Sequence, residues 1–128
     1  MERVLFVCVE NSCRSQMAEG IAKALGKEIM EVYSAGARPS TEVNPMAIKV
    51  MKEAGIDIAN NRPKGFAELP VQRFDYVITL GCQDSCPFFP ADQHIEWKIE
   101  DPKGKDINFF RQTRDSIMGQ VKRLIQDI

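Results

Sequence analysis

The chain has 128 residues, 44% of them hydrophobic and 27% charged, with a net charge of −1. That length suits one domain, residues 1–128, with a single core, and the balanced charge offers no basic face to nucleic acid. Apolar runs of about six residues fall far short of the roughly 20 that cross a bilayer, and the N-terminus has no secretory leader, so a cytoplasmic protein without a membrane partner is expected.

Residues 3–8, RVLFVC, read as a buried parallel strand, apolar on both faces. Helical spacing takes over at 15–25, where Met17, Ile21, Ala24 and Leu25 share a side and Gly26 provides a stop. Residues 29–34 form a second strand, ended by Ala35 and Gly36. Asn44 followed by Pro45 supplies an N-cap and a proline at the first helical position, and this helix runs to Ala54 before Gly55. Residues 60–69 are irregular, with room for a short helix. FDYVITL, Phe74–Leu80, is a third strand, and residues 94–99 are a weaker fourth. A loop at 101–104 leads to a long amphipathic helix at 107–128, with Phe110, Ile117, Val121, Leu124 and Ile125 inward. No repeat, low-complexity segment or linker interrupts the chain. Alternating strands and helices predict an α/β fold, a parallel sheet with helices on both faces. Ligands of such sheets sit at the carboxyl ends of the strands, where Cys8, Ser34 and Gly81-Cys82 fall.

There are four cysteines, Cys8, Cys13, Cys82 and Cys86. In a reducing compartment they do not form a static disulfide framework, and are expected to be buried, metal-binding or catalytic. The first sits where a strand ends. The loop after it, Val9, Glu10, Asn11, Ser12 and Cys13, runs into a helix N-terminus, so backbone N–H groups and the helix dipole face a concavity. Arg14 adds a planar fork that matches a tetrahedral oxyanion. Such a nest favours the thiolate form that nucleophilic attack needs. Cys8 is thus aimed at the centre of a bound oxyanion, with Asn11 and Ser15 holding the loop and Ser15 placed to donate to the sulfur. A packing cysteine beside a chance arginine is the bland alternative, and the strand–loop–helix context argues against it.

CVENSCRSQMAEG, from Cys8 to Gly20, resembles the signature of low-molecular-weight tyrosine phosphatases, and more closely that of their arsenate reductase relatives. Similarity continues through VYSAG (32–36), Asn44-Pro45, DYVITL (75–80), Cys86-Pro87, Trp97 and Asp101-Pro102. The resemblance implies a three-layer sandwich on a four-stranded parallel sheet, with Cys8 as nucleophile, Arg14 as oxyanion clamp and Asp101 as general acid. Glu10 departs from the phosphatase pattern, which most often has glycine there; its carboxylate is expected to face solvent. The loop DPKGK has no ring to sandwich phosphotyrosine, which is similar to the reductase version.

Cys82 and Cys86 match the two shuttle cysteines of the thioredoxin-coupled reductases, although three residues separate them here against six in the best-known members. The resemblance therefore implies reduction of arsenate to arsenite by attack of Cys8, then a disulfide cascade through Cys82 and Cys86. Arsenate or phosphate is the oxyanion, no cofactor is bound, and electrons come from thioredoxin or a low-molecular-weight thiol. Four residues along a helix span about 6 Å, inside the roughly 4.4–6.8 Å that a disulfide takes between Cα atoms. Pro87 disfavours helix at Cys86, so the pair should close easily and the costlier motion should bring Cys82 to Cys8. The alternatives are a tyrosine phosphatase working through a phosphocysteine and, outside enzymes, a cysteine phosphocarrier module. The cysteine pair also admits inert packing or half a zinc site, a weak fit to standard spacings. No metal is expected otherwise, except that Asn11, Glu19 and Ser34 resemble a monovalent cation site; Glu19 reads equally well as a solvated helix residue. Cys13 is expected to be a structural thiol, His94 a surface residue and Trp97 core.

Overall fold

A computed structural model of the chain describes residues 1–82, 86 and 88–128. The expectation drawn from Pro87 lies outside those residues. The elements are β1 (Glu2–Cys8), α1 (Arg14–Gly26), β2 (Met30–Gly36), α2 (Pro45–Glu53), a short 3₁₀ turn (Phe66–Glu68), β3 (Phe74–Leu80), β4 (Ala91–Trp97) and α3 (Ile107–Asp127). All four strands are parallel, in the order β2-β1-β3-β4.

β1 is central, and its side chains alternate between two cores. Val4 and Phe6 join residues of all three helices, among them Met17, Ile21, Val50, Met51, Phe110, Ile117 and Val121. Leu5 and Val7 face the other way, onto Ala35, Leu69, Phe74, Val77 and Cys82. Fully burying side chains such as Phe6, Ile21 and Ile117 contributes about 1.5–3 kcal/mol each. The α/β class and the four-stranded parallel sheet are as expected. The second face differs from a helical layer: among the described residues its cover comes from the 3₁₀ turn and from Leu69, Val71 and Phe89, with Phe89 stacked on Phe66 at 5.3 Å and edge-on to Phe74 at 5.6 Å.

Caps behave as the sequence says. Asn44 Oδ1 accepts from the Met46 N–H at 2.9 Å, and Pro45 opens α2. Asp106, which the sequence reading passes over, caps α3 by accepting from Phe109 N–H at 3.0 Å. The fourth strand starts three residues earlier than expected and ends at Trp97 instead of Ile99. It is an edge strand, so Asp92, Gln93 and His94 point to solvent and carry no apolar signal, while Ile95 and Trp97 pack inward. Trp97 is core, 5.7 Å from the Phe6 ring. No helix among the described residues is long and apolar enough to cross a membrane.

Candidate active site

Parallel pairing lines up the strand ends: Cys8 is opposite Gly36, and Val7 opposite Thr79. Residues 9–13 leave β1 and turn at once into α1. The turn needs one left-handed residue, and that residue is Asn11, φ 54°, not Glu10. Asn tolerates this region better than most side chains. Gly36 lets the loop lie against β2, since a Cβ there would stand 2.8 Å from both Asn11 N and the Val9 carbonyl oxygen.

The Asn11 side chain uses its whole hydrogen-bonding capacity. Its Nδ2 donates to Ser15 Oγ (2.7 Å) and Ser34 Oγ (3.1 Å). Its Oδ1 accepts from Gln16 Nε2 (3.0 Å) and from the Lys64 N–H (3.0 Å). A fully satisfied buried network of this kind fixes one conformation. Carbonyl groups of the loop are turned outward: those of Val9, Glu10 and Ser12 accept from the N–H groups of Arg38, Ser40 and Asn44 at 2.8, 3.0 and 2.9 Å. Backbone N–H groups of residues 10–13 meet no acceptor among the described residues. That is an anion nest at a helix N-terminus.

Cys8 is buried, and its sulfur lies 2.8 Å from Ser15 Oγ. Ser15 Oγ already accepts a hydrogen bond from Asn11 Nδ2, which leaves its own hydroxyl hydrogen free to donate to the Cys8 sulfur. Arg14 is buried too. Its Nη1 donates to the Ile99 carbonyl at 2.9 Å, and its Nη2 is 3.7 Å from Asp101 Oδ2. Its Nε is buried and has no partner among the described residues. With Nη1 anchored, the Nε–Nη2 edge of the guanidinium is the free fork, the edge that binds a tetrahedral anion through two N–H groups. Gly81, φ 72°, is the neighbour that makes room, because any Cβ there would run into Arg14 Nη1 and the Ile99 oxygen. An open cavity of about 730 Å³ adjoins the fork on the Asp101 side; Arg14, Gly81 and Asp101 line it together with Glu96, Lys98, Ile99 and Glu100, and among the described residues no aromatic side chain does.

Asp101 stands at the mouth. Its Oδ1 accepts from the Lys103 N–H at 3.1 Å, which leaves Oδ2 on the Arg14 side. Glu10 does not simply face solvent as expected: its carboxylate meets Lys103 Nζ at 2.9 and 3.1 Å.

Cys82 and Cys86 are joined in a disulfide with Cα atoms 5.6 Å apart, while Cys8 and Cys13 are free thiols. Cys82 packs in the second core, and its sulfur lies 3.5 Å from the carbonyl oxygen of Val7, the residue before Cys8.

Asn11, Glu19 and Ser34 do converge, but Glu19 is buried, not solvated. Ser34 donates to its carboxylate, and Lys64 Nζ lies 3.3 Å from Ser34 Oγ and 3.5 Å from Glu19 Oε1. Lys23 Nζ reaches the other oxygen at 2.5 Å. The chain's own ammonium groups thus bring the positive charge to this cluster. Among the described residues no group of three or more His, Cys, Asp or Glu side chains stands together as a metal site. His94 is exposed on β4, with Nε2 2.7 Å from the Phe89 carbonyl, away from this constellation.

Cys13 behaves as a structural thiol. Burial pushes it up to about 11, against the smaller lowering effect of Ser12. At neutral pH it is therefore protonated and unreactive. Iodoacetamide near pH 7 is expected to label Cys8 and spare Cys13, with phosphate protecting Cys8, and Cys13 should react only as pH climbs toward 11. Equal labelling of both at pH 7, read by peptide mass, contradicts this division.

Four contributors escape sequence reasoning: the Ile99 carbonyl, Gly81, Lys64 and Lys103. Only Gly81 leaves a trace in the sequence, as a glycine directly after a strand and before a cysteine.

Known proteins resemble the chain over its full length. The family profile of low molecular weight phosphotyrosine protein phosphatase matches residues 3–128. A "Glutaredoxin arsenate reductase" of Synechocystis sp. is 41% identical, covering 100% of this chain and 99% of the relative. A solved structure, "An arsenate reductase in the phosphate binding state", superposes with a TM-score of 0.89 at 39% identity, covering 100% and 99% of the two chains. A thioredoxin-dependent arsenate reductase of Corynebacterium glutamicum superposes at 0.79 with 31% identity, covering 99% of this chain and 61% of that one.

Proposed function

The chain belongs to the low molecular weight phosphotyrosine protein phosphatase family, and from that premise we propose that it is an arsenate reductase that draws its electrons from a protein dithiol of the thioredoxin kind. The observation that carries the reading is the Cys82–Cys86 disulfide, in a chain whose Cys8 is free. Hydrolysis of a phosphomonoester has no use for such a pair, whereas reduction of arsenate must collect two electrons and end in one.

Arsenate enters the nest, its oxygens on the N–H groups of residues 10–13 and on the Nε–Nη2 edge of Arg14. The Cys8 thiolate attacks arsenic, with Ser15 donating to it beforehand, and Asp101 gives a proton to the departing oxygen, which leaves as water. Cys82 then attacks the Cys8 sulfur. The sulfur–arsenic bond breaks and its electron pair stays on arsenic, so arsenic(V) leaves as arsenic(III) and the two sulfurs become a disulfide. Cys86 attacks Cys82, freeing Cys8 as a thiolate and leaving the oxidising equivalent in Cys82–Cys86. A dithiol reduces that bond by two successive exchanges. The absence of a ring from the described lining of the cavity weighs against phosphotyrosine as the substrate.

One assay tests the reading: arsenate-dependent NADPH consumption with thioredoxin and its reductase, run beside glutathione with glutaredoxin and beside para-nitrophenyl phosphate hydrolysis. Turnover with thioredoxin is expected, with weak hydrolysis alongside. Turnover with glutathione and glutaredoxin alone replaces the donor, as the relative's name suggests. Hydrolysis without any arsenate reduction overturns the reaction.

A further inference from the structure

A carboxylate in a loop built for a dianion is a contradiction, and the chain resolves it from a distance. Glu10 is the second residue after the nucleophile, and Lys103 the second residue after Asp101. They are 93 residues apart in sequence, yet Lys103 Nζ donates to both Glu10 oxygens at 2.9 and 3.1 Å. Lys103 also touches the acid directly, since its backbone N–H donates to Asp101 Oδ1 at 3.1 Å. A single residue therefore holds the nucleophile's loop through its side chain and the acid's carboxyl through its backbone. Both side chains are open to water, 56% and 37% exposed, so the contact can break and re-form. Glu10 raises the affinity of Lys103 for its proton, so the ammonium stays charged across the working pH range.

We propose that the Lys103–Glu10 ion pair is an electrostatic latch, in which Lys103 cancels the charge of Glu10 at the mouth of the oxyanion nest and, by the same bond, holds the Asp101 turn over Cys8. This rests on the reading of the nest as the oxyanion site. Lys103 is a positioning residue, with no contact to the reacting atoms. The two parts of the latch have opposite signatures. Charge acts on oxyanion affinity, where the two residues pull in opposite directions. Tethering acts on the acid step, where losing either residue has the same consequence.

The test is a double-substitution cycle on the full chain, with Lys103→Met, Glu10→Gln and the pair together. Phosphate affinity is read as protection of Cys8 from iodoacetamide, and kcat is read in the turnover assay. Lys103→Met is expected to weaken phosphate roughly threefold to thirtyfold, the effect of one uncancelled, partly solvent-screened charge several ångströms away. Glu10→Gln should bind phosphate as well as the parent or better, and the double variant should return close to the parent. In kcat all three should fall by a similar factor, roughly threefold to fivefold, as expected for losing one exposed ion pair. Lys103→Arg, which keeps charge and reach, should restore both readouts. If the double variant binds phosphate as poorly as Lys103→Met, the lysine acts on the oxyanion itself and not through Glu10. Unchanged kcat in all three removes the tether. Phosphate protection does not require arsenate to be reduced, so parent protein that is not protected sinks the underlying site, whereas protected parent with an indifferent Lys103→Met sinks the latch alone.

Discussion

Cys86→Ser stalls arsenate turnover driven by thioredoxin after a single event and leaves Cys8–Cys82 as the accumulating disulfide. Without Cys86 the oxidising equivalent has no way out of the nest. The nucleophile stays tied to Cys82, a residue that is almost fully buried in the second core. Cys86, half-buried, is the sulfur within a donor's reach. Peptide mapping after one turnover without reductant is expected to give Cys82–Cys86 in the parent and Cys8–Cys82 in the variant. Weak phosphatase activity should survive in both Cys82→Ser and Cys86→Ser, because hydrolysis uses only Cys8, Arg14 and Asp101. Cys86→Ser that cycles normally with a small thiol makes Cys86 a bystander and shortens the cascade to two cysteines. Phosphatase activity lost with either shuttle cysteine means the division of labour between the strand ends is wrong.

Arg14→Lys should lower arsenate turnover roughly 10²–10⁴-fold, the equivalent of two charge-assisted hydrogen bonds at about 1.5–3 kcal/mol each. Lysine keeps the charge and three N–H donors on a single nitrogen, but not the planar fork. It cannot anchor on the Ile99 carbonyl while offering two N–H groups to one anion, because it has no planar fork. Arg14 does both at once: Nη1 is held at 2.9 Å on the Ile99 carbonyl, while Nε has no partner among the described residues and Nη2 has only the Asp101 carboxylate at 3.7 Å. Phosphate protection of Cys8 should be lost to a comparable extent, since the fork serves the ground state as well. A variant that loses turnover while phosphate still protects fully would move Arg14 from binding to the later steps.

The strand–loop–helix setting of Cys8 and Arg14 is legible in the sequence because everything that defines it is local. Strand, loop and helix start lie within a short run of chain, and the apolar-to-polar switch marks the boundary. The third strand, buried on both faces, is legible for the same reason. β4 was placed three residues late because an edge strand with exposed Asp92, Gln93 and His94 shows no pattern at its start. The loop's one left-handed non-glycine position is Asn11, whose residue type alone does not mark it in the sequence. What the sequence does not show arrives from far along the chain. The Ile99 carbonyl is backbone, Gly81 acts by lacking a side chain, and Lys64 and Lys103 are two charged residues among many. Apart from Gly81, which directly follows a strand, nothing in their sequence neighbourhoods distinguishes them; the packing of the strand ends brings them together.

The shuttle cysteines are only four residues apart in sequence. Closing a ring that small removes little freedom from an unfolded chain: chain-entropy arithmetic gives about 2 kcal/mol, against roughly 4.7 for a ring of 100 residues. A protein that oxidises itself at every turnover risks being locked into its spent form if the cross-link greatly favours the folded state. With so short a ring, the spent and recharged forms lie close together on the folding landscape. The donor has a chemical bond to reduce against a conformational bias of about 2 kcal/mol, less than half of what a long ring would impose on the same step.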